Sequence, residues 1–458
     1  MKRTAILNVV GLSSALIGSH TPHIRNFLEK GFHTIIKPAF PAVTCTAQAD
    51  YLTGVRPNEH GIVANGWYDR DYAEHFFWNQ SNHLVTHKKL WEELRETHPD
   101  FTCAKLFWWF NMYSSADYSI TPRPIYLADG GKVFDIYTSP APIRFEIQKE
   151  LGDFPFMNFW GPFADIKSSR WIAQASQWIE EKYSPHLSLI YLPHLDYNLQ
   201  RLGPSYSDIN KDLGEIDQVI GELITFFEKN SVQVILLSEY GIVSVNKPIH
   251  LNRLFREQGW LALKKDLDLE YLDKGASQTF ALTDHQIAHV YINNSEIKDK
   301  VRACLLEHED IEIVLDSQEI ADCGMNHKRS GDLIAVAKSY AWFTYYYWEN
   351  DQFAPDFARA IDIHRKIGYD PAELFINPSI GLPKLKVAYF LLRRTLGMRG
   401  LLNIVPLDAS LVKGSHGAIP QQKSDFPLFI SQNEFSQVGK DYLVSTEVYA
   451  IVKELIES

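Results

Sequence analysis

The chain has 458 residues, 45% of them hydrophobic, and a formal net charge of -11. This length exceeds one simple domain, so we expect one large domain with an insertion, or two domains. The acidic balance and the lack of a long basic run argue against nucleic-acid polymers as partners. A local cationic pocket for a phosphate group is compatible with this charge.

The cysteines and the N-terminal segment indicate the cellular compartment of the protein. Four widely spaced cysteines form neither a CxxC pair nor a disulfide framework, so reduced thiols in a cytoplasmic protein are expected. The segment MKRTAILNVVGLSSALIG resembles a signal peptide, but Asn8 and Gly11 interrupt it and favour a first β-strand. No window holds the ~18 apolar residues of a membrane span, so no stable membrane insertion is expected.

Short apolar runs alternate with helical patterns along the first half of the chain. In order, the predicted elements are the strand TAILNVVGL, the helix TPHIRNFLEK, the strand FHTIIKPAF, the short helix CTAQADYLT, the helix LVTHKKLWEELRETH, the strand FTCAKLFWWF, the helix SSRWIAQASQWIEEKY, the strand LSLIYLPHLD, the helix SDINKDLGEIDQVIGELITFFEKN and the strand VQVILLSEYG. This alternation predicts an α/β fold with a mainly parallel central sheet and helices on both faces.

The sequence pattern changes after residue 261. The segments IAHVYIN, EIKDKVRACLLEHE, IEIVLD and GDLIAVAK predict a small α/β cap inserted in the core domain. We therefore divide the chain into a first part of the core domain (1–261), the cap (262–338), and an aromatic insertion with a return to the core (339–458). The aromatic runs FWWFNMY and WFTYYYW could stack on a ligand ring, although such runs more often form core.

Polar residues follow several predicted strands at their carboxyl ends, where open parallel sheets bind ligands. They are Asn8, Thr44, Asn111, His194, Asp196 and Glu239. Each one alone would be read as a helix cap or a turn residue. Their shared location indicates a site for a metal ion and a phosphate group.

Four segments in chain order resemble the alkaline phosphatase superfamily. The resemblance is closest to the type I phosphodiesterase and nucleotide pyrophosphatase branch, and phosphonoacetate hydrolase is a relative. The segment LTGVRPNEHGIVANGWYD resembles the branch's TG…P..HGI..N pattern, and YLPHLDYNLQRLGP, VILLSEYG and GSHG resemble its metal-binding segments. The resemblance implies an alkaline-phosphatase-like fold and a hydrolase of phosphodiester or pyrophosphate bonds in a nucleotide or other small phosphorylated molecule.

Counting back from Thr53 and Gly54, the resemblance places the family's nucleophile on Thr44 rather than Thr46. A side chain at a helix N-terminus faces free backbone N–H groups, which suit a phosphoryl oxygen. A threonine hydroxyl is a weak nucleophile near neutral pH, and a metal ion overcomes this. A threonine that only caps the helix would occupy the same position, but acidic residues would not converge on it.

The resemblance also carries over two sets of metal ligands, several of them altered in this chain. One ion would be held by Asn8, Thr44, Glu239 and Tyr240, and the other by Asp196, Gln200 and His416. The family has histidine at the positions of Tyr240 and Gln200. Fewer nitrogen ligands favour Mn or Mg over Zn, with one or two ions bound. In the implied reaction Thr44 attacks phosphorus, the metal stabilises both oxygens, and water hydrolyses the resulting phosphothreonine.

Four further residues are candidates for substrate binding. The family's asparagine for a phosphoryl oxygen is Ala47 here, so Gln48 or Asn111 could replace that donor, or each could be a helix-surface or strand-end residue. His194 could add a nitrogen if its strand continues to Asp196, or it could be structural. His327 could bring positive charge to a phosphate or carboxylate, or lie in a solvated turn.

Two other functions remain open from the sequence. The first is a phosphonate hydrolase or a biosynthetic phosphoesterase, and the second is a degenerate member that binds a ligand without turnover. The sequence does not indicate an oligomeric state.

Overall fold

A large mixed sheet forms the centre of the protein, whose computed structural model describes residues 1–128, 131–398 and 400–458. Within these residues the sheet has nine strands in the spatial order β9-β2-β8-β7-β1-β6-β3-β4-β5. Seven strands run in one direction, whereas β5 and β8 are antiparallel to their neighbours. The strands are β1 (Thr4–Val9), β2 (Phe32–Lys37), β3 (Cys103–Leu106), β4 (Tyr118–Pro122), β5 (Ile136–Ser139), β6 (Leu187–Leu192), β7 (Gln233–Leu237), β8 (Leu428–Ser431) and β9 (Leu443–Val444).

Strand β1 lies between β6 and β7 and runs parallel to both. Every side chain of these three strands is buried, as expected for a parallel sheet covered on both faces. Asn8 pairs with Tyr191 on one side and Leu237 on the other, so the three strands end at the same edge. The predicted mainly parallel α/β sheet is confirmed.

Two groups of helices pack around the sheet. Helices α1, α5, α6, α7 and α8 form one group, and α2, α3, α4 and α13 form the other. The helices are α1 (Pro22–Lys30), α2 (Thr44–Thr53), α3 (Pro57–His60), α4 (Leu90–Thr97), α5 (Pro142–Leu151), α6 (Ile166–Tyr183), α7 (His194–Leu202), α8 (Asn210–Lys229), α9 (Leu251–Glu257), α10 (Lys298–Leu306), α11 (Ser317–Asp322), α12 (Pro383–Thr395) and α13 (Glu447–Glu457).

Helix α2 is a core helix, and it sets the position of Thr44. All ten of its residues are buried, and it begins at Thr44 after Val43 in extended conformation. It ends at Gly54, whose φ of 70° lies in the left-handed region and whose N–H bonds to the Asp50 carbonyl. Its N-terminus lies at the carboxyl edge of the central sheet, since Thr44 Oγ1 is 3.2 Å from the hydroxyl of Tyr240, which follows β7.

The cap contains a four-stranded antiparallel sheet, which the sequence predicted only in part. Its strands, in spatial order, are Thr279–Asp284, Ile287–Ile292, Leu333–Ala337 and Ile311–Leu315. Shorter paired strands are Gly66–Asp69 with Glu74–Phe77, Ile125–Tyr126 with Lys132–Val133, Val243–Ser244 with Gly414–Ser415, Lys247–Ile249 with Ala341–Phe343, and Leu263–Asp266 with Leu269–Leu272.

A second hydrophobic core is formed by cap residues and extends past the predicted bounds of 262–338. It includes Phe255 of α9 and the run from Trp342 to Trp348. Tyr345, Tyr346 and Trp348 in this run are fully buried. This aromatic run therefore forms core, the more common of its two predicted outcomes.

One turn of the cap reaches back to the core domain. The backbone N–H of Gln286 donates to the carbonyl of His416 at 2.8 Å. The next residue, Gly417, has a φ of 115°, and a Cβ there would lie 3.0 Å from the Gln286 nitrogen. Glycine is therefore required where cap and core backbones meet.

Two predicted strands end earlier than the sequence indicated. Strand β6 ends at Leu192, and His194 and Asp196 lie in helix α7 instead of continuing the strand. Strand β3 ends at Leu106, because Phe107 adopts a φ of 64° and turns the chain. Among the described residues, no helix combines the length and apolarity needed to cross a bilayer.

Candidate active site

A chain of buried hydroxyl and carboxyl groups begins at Thr44. The Thr44 Oγ1 lies 3.2 Å from the hydroxyl of Tyr240, and that hydroxyl donates to Asp196 Oδ1 at 3.2 Å. Since Tyr240 has one proton and donates it to Asp196, Thr44 is the donor in the first bond. Thr46 is excluded from this chain, because its hydroxyl donates to the Ile62 carbonyl at 3.2 Å.

The other oxygen of Asp196 accepts from Gln200, which is itself bound by Tyr369. Gln200 Nε2 donates to Asp196 Oδ2 at 2.7 Å, and Gln200 Oε1 accepts from the hydroxyl of Tyr369 at 2.9 Å. Gln200 lies one turn after Asp196 on α7, so the two face the same side of that helix. The amide group of Gln200 is thus engaged at both ends by the protein.

Glu239 is the second buried carboxyl group of the site. Its Oε1 accepts from Asn8 Nδ2 at 2.5 Å and from Gln48 Nε2 at 2.6 Å. Gln48 Oε1 in turn accepts from the backbone N–H of Trp109 at 2.7 Å. Glu239 follows β7 and Asn8 lies near the end of β1, so the parallel sheet brings the two together.

His416 faces the same group of residues with a defined tautomer. Its Nδ1 lies 2.7 Å from the Ala42 carbonyl, which can only accept, so Nδ1 carries the proton and Nε2 keeps its lone pair. The imidazole stacks on the Tyr240 ring with centroids 3.6 Å apart. Burial lowers the pKa of His416 to about 3, so the ring is neutral.

The two carboxyl groups are destabilised as anions by their surroundings. Burial raises the pKa of Asp196 to about 7, although hydrogen bonds from Tyr240 and Gln200 act in the opposite direction. Burial likewise raises the pKa of Glu239 to about 8, against hydrogen bonds from Gln48 and Asn8. Burial also raises the pKa of Tyr240 well above its usual value, which keeps the phenol protonated.

Three buried atoms of this site have no hydrogen-bond partner among the described residues. They are Asn8 Oδ1, Glu239 Oε2 and His416 Nε2. An amide oxygen, a carboxylate oxygen and a neutral imidazole nitrogen are all ligand atoms for a divalent cation. A positive charge placed here would also offset the cost of burying the two carboxylates. The donor set therefore fits a divalent cation.

A large cavity opens from these residues to the surface. Its volume is 1760 Å³, and Thr44, Asp196 and Tyr240 line its inner end. The walls further out include Ile125, Phe145 and several residues of α12. A substrate can therefore reach Thr44 from the outside.

The structure brings eight of the sequence-predicted site residues together. They are Asn8, Thr44, Gln48, Asp196, Gln200, Glu239, Tyr240 and His416. Asn111, His194 and His327 lie elsewhere. Asn111 donates to the carbonyls of Lys105 and Ile120 and so holds the turn after β3.

His194 does not share a face with Asp196, contrary to our expectation for a continuing strand. The two residues lie in the first turn of α7, where a spacing of two residues separates side chains by about 200°. His194 Nε2 instead lies 3.4 Å from both Asp212 and Glu215 of α8. His327 accepts from the backbone N–H of Arg329 and lies near Gly61, outside the residues that line the cavity.

The sequence analysis missed two aromatic residues of the site. His285 is stacked between Tyr369 and His416, with ring centroids 3.8 and 3.6 Å away, and both His285 and Tyr369 line the cavity. His285 lies at the tip of a cap hairpin, with a φ of 61°. The only signal for it was the Asp284–His285 pair between two predicted cap strands.

One known family matches most of the chain. The family described as type I phosphodiesterase / nucleotide pyrophosphatase matches residues 4–370. The chain belongs to this family. It is 26% identical over 274 residues to an uncharacterized pyrophosphatase/phosphodiesterase of Schizosaccharomyces pombe, covering 55% of this chain and 49% of that protein.

A mouse bis(5'-adenosyl)-triphosphatase is a second curated relative of this family member. It is 22% identical over 290 residues, covering 62% of this chain and 53% of the mouse protein. The chain thus spans about half the length of the curated relatives it matches.

Solved structures share the fold over almost the whole chain. Murine ectonucleotide pyrophosphatase/phosphodiesterase 5, as an inactive threonine-to-alanine variant in complex with AMP, has a TM-score of 0.59 and 14% identity, covering 100% of this chain and 95% of that one. Phosphonoacetate hydrolase from Sinorhizobium meliloti in complex with phosphonoformate has a TM-score of 0.63 and 11% identity, covering 99% and 96%. These neighbours confirm the predicted alkaline-phosphatase-like fold.

Proposed function

We propose that this family member is a metal-dependent hydrolase of phosphodiester or pyrophosphate bonds, with Thr44 as the nucleophile. The observation that carries the proposal is the hydrogen-bonded chain from Thr44 through Tyr240 to Asp196 at the N-terminus of a buried helix. A threonine that only capped the helix would need neither partner. Both partners are buried and open on the same cavity as Thr44.

The residues of this chain supply the proton transfer that activates Thr44. As the Thr44 oxygen attacks phosphorus in line with the leaving group, its proton passes to the Tyr240 hydroxyl, and the Tyr240 proton passes to Asp196. A carboxyl group with a pKa of about 7 is a suitable acceptor near neutral pH. Gln200, fixed by Tyr369, keeps Asp196 oriented toward Tyr240.

The product of this step is a covalent phosphothreonine on Thr44, and water then hydrolyses it. In the second step Asp196 can return its proton through Tyr240 to the Thr44 oxygen as that oxygen leaves. The attacking water releases one proton to solvent as its oxygen binds phosphorus, and the leaving oxygen of the first step takes up one proton from solvent, so protons and charge balance over the two steps. The free N–H groups at the start of α2 are placed to bind a phosphoryl oxygen.

Asn8, Glu239 and His416 would hold the divalent cation through their unpartnered atoms. Such an ion neutralises phosphoryl oxygens and lowers the pKa of a bound hydroxyl group. The oxygen-rich set, with one imidazole in it, favours Mn or Mg over Zn. Gln200 stays a predicted ligand, and its hydrogen bonds to Asp196 and Tyr369 also give it a positioning role.

The relatives support a nucleotide or another small phosphorylated molecule as substrate. One structural neighbour binds AMP in a variant that lacks a threonine hydroxyl and is inactive, and one curated relative is a bis(5'-adenosyl)-triphosphatase. A second candidate is phosphonate hydrolysis, since phosphonoacetate hydrolase is an equally complete structural neighbour. The altered ligands leave a third, a member that binds without turnover.

A substrate panel separates these functions. Purified protein is stripped with a chelator, and each of Mn, Mg, Zn and Ca is then added with bis(4-nitrophenyl) phosphate, a dinucleoside polyphosphate or phosphonoacetate. We expect hydrolysis of the first two with Mn or Mg. Turnover of phosphonoacetate alone would favour the second candidate, and no turnover with any metal would overturn the proposal.

A further inference from the structure

Helix α12 presents apolar side chains to solvent in a regular pattern. Leu385, Tyr389 and Leu392 lie on one face of the helix, and Leu396, directly after its end, continues that face because its N–H donates to the Leu392 carbonyl. Their exposed fractions are 63%, 62%, 57% and 64%. A contiguous exposed apolar face of this kind on a protein surface marks an interaction site.

The segment around this face is strongly basic in an otherwise acidic chain. Between Glu373 and Asp408 there are five basic residues and no acidic one, while the whole chain carries a net charge of -11. Lys384 and Lys386 flank the apolar face at the start of the helix and are exposed. Basic residues beside exposed leucine and tyrosine are the pattern of helices that lie in the surface of anionic membranes.

The other side of α12 closes the cavity that leads to Thr44. Val387, Phe390 and Leu391 line its outer part, and Ile125 and Phe145 line it from other elements. Phe145 is 67% exposed and Leu391 is 53% exposed, so the apolar wall continues to the surface beside the apolar face of α12. A volume of 1760 Å³ is more than a phosphate or a nucleotide needs.

We propose that α12 docks on an anionic lipid surface, and that the cavity behind it takes the hydrocarbon chain of an amphiphilic phosphodiester or pyrophosphate. The chain would lie against Phe390, Leu391 and Phe145, and the phosphoryl group would reach Thr44. This substrate class rests on the proposed function, whereas the docking of α12 does not. The reaction is the same: the Thr44 oxygen forms a bond to phosphorus, and the bond to the leaving oxygen breaks.

Charge argues for a lipid surface over a second copy of this chain. A symmetric dimer contact through α12 would bring together two copies of the same basic segment, which has no acidic residue to pair with it. An anionic membrane instead complements that basic segment and covers the leucine face at the same time. The described residues contain no helix that spans a membrane, so the contact would be peripheral.

The first test measures vesicle binding by the full chain. Sedimentation with phosphatidylcholine vesicles is compared with and without phosphatidylserine. We expect binding that requires the anionic lipid and weakens with salt, and a loss of about tenfold or more in affinity for Leu385→Gln/Leu392→Gln/Leu396→Gln and for Lys384→Glu/Lys386→Glu. Circular dichroism checks that each variant is folded.

The matched control changes three exposed apolar residues elsewhere, as Leu267→Gln/Leu306→Gln/Ile313→Gln. It should bind vesicles as the unmodified chain does. No vesicle binding, binding that does not need anionic lipid, or equal losses in the control and the leucine variant would each overturn the docking of α12. A concentration-dependent dimer that the leucine variant abolishes, without lipid binding, would identify a second copy as the occupant.

The second test measures chain-length preference in the cavity. Dodecyl 4-nitrophenyl phosphate, below its micelle concentration, is compared with methyl 4-nitrophenyl phosphate. We expect kcat/KM to be about tenfold or more higher for the dodecyl ester, and Phe145→Gln to reduce that ratio. Equal values for the two esters overturn the assignment of the cavity. If neither ester is hydrolysed while vesicles are bound, the proposed function fails and the docking of α12 stands.

Discussion

The inner and outer ends of the cavity differ in the polarity of the side chains that line them. At the inner end, Thr44, Asp196 and Tyr240 are buried and joined by hydrogen bonds, and each has a fixed partner. At the outer end, Phe145 and Leu391 are exposed apolar groups with no polar function. The inner end determines which bond is broken, because chemistry needs fixed polar groups. The outer end determines which molecules can present that bond to Thr44.

The largest expected effect comes from the nucleophile at the inner end. Thr44→Ala removes the attacking oxygen, so kcat for bis(4-nitrophenyl) phosphate should fall on the order of 10³-fold or more. Thr46→Ala is the matched control, since its hydroxyl is bonded to the Ile62 carbonyl, and kcat should change by less than about threefold. Steady-state kinetics measure both. Loss of activity only in Thr46→Ala would place the nucleophile two residues later.

The next effect tests the proton path from Thr44. Tyr240→Phe keeps the ring stacked on His416 but removes the hydroxyl between Thr44 and Asp196. We expect kcat to fall about 10²-fold with little change in KM, because the relay acts in the reaction and not in binding. Tyr72→Phe, at an exposed site, is the control. An unchanged kcat in Tyr240→Phe would show that the proton leaves Thr44 by another route.

A smaller effect concerns the metal at the inner end. After chelation, Mn or Mg should restore about tenfold more activity than Zn, because the ligand set is rich in oxygen. Tyr240→His adds an imidazole where the family has one, so this variant should retain more zinc after the same chelation. Elemental analysis measures the zinc. Equal zinc retention in both proteins would contradict the claim that the missing imidazole at position 240 weakens zinc binding.

The smallest expected effect concerns the free energy of unfolding, which burial of the Lys105 amine lowers. Lys105 is buried, with its Nζ 2.9 Å from the Phe110 carbonyl, and burial lowers its pKa to about 7. Between pH 7 and its unfolded value the unfolded chain binds more protons, so this group makes stability rise with pH in that window. Lys105→Met should raise the free energy of unfolding at pH 7 by about 1–2 kcal/mol and flatten that rise.

Denaturant unfolding at pH 7 and pH 9 tests the prediction for Lys105→Met. A lower stability for Lys105→Met at pH 7 would show that the amine's hydrogen bond outweighs its burial. Lys265→Met, at an exposed site, is the control and should change the free energy of unfolding at pH 7 by less than about 0.5 kcal/mol.

The sequence was sufficient to predict the site residues that follow strands. Asn8, Asp196 and Glu239 come after or near the ends of β1, β6 and β7, and a parallel sheet brings such ends to one edge. The same reasoning failed for His194, since it assumed that β6 continued beyond Leu192. Where a strand changes into a helix, a shift of two residues changes which face a side chain occupies.

The sequence pattern could not predict contacts that form only when distant segments pack together. His285 reaches the site only because the cap hairpin folds back against His416, and no local spacing encodes that contact. The leucine spacing of α12 is visible in the sequence, but a stripe at helical spacing is the same whether it is buried or exposed. Only the structure shows that the face with Leu385 and Leu392 is exposed.

The most direct test of the account is to trap the covalent adduct during turnover. Protein with Mn is mixed with bis(4-nitrophenyl) phosphate, quenched in acid within the burst of nitrophenol, and digested for mass spectrometry. We predict a nitrophenylphosphoryl group on Thr44 in the peptide that also contains Thr46, with fragment ions assigning the residue, and no adduct in Thr44→Ala. A burst whose label lies on Thr46, or on any residue outside α2, would contradict the account.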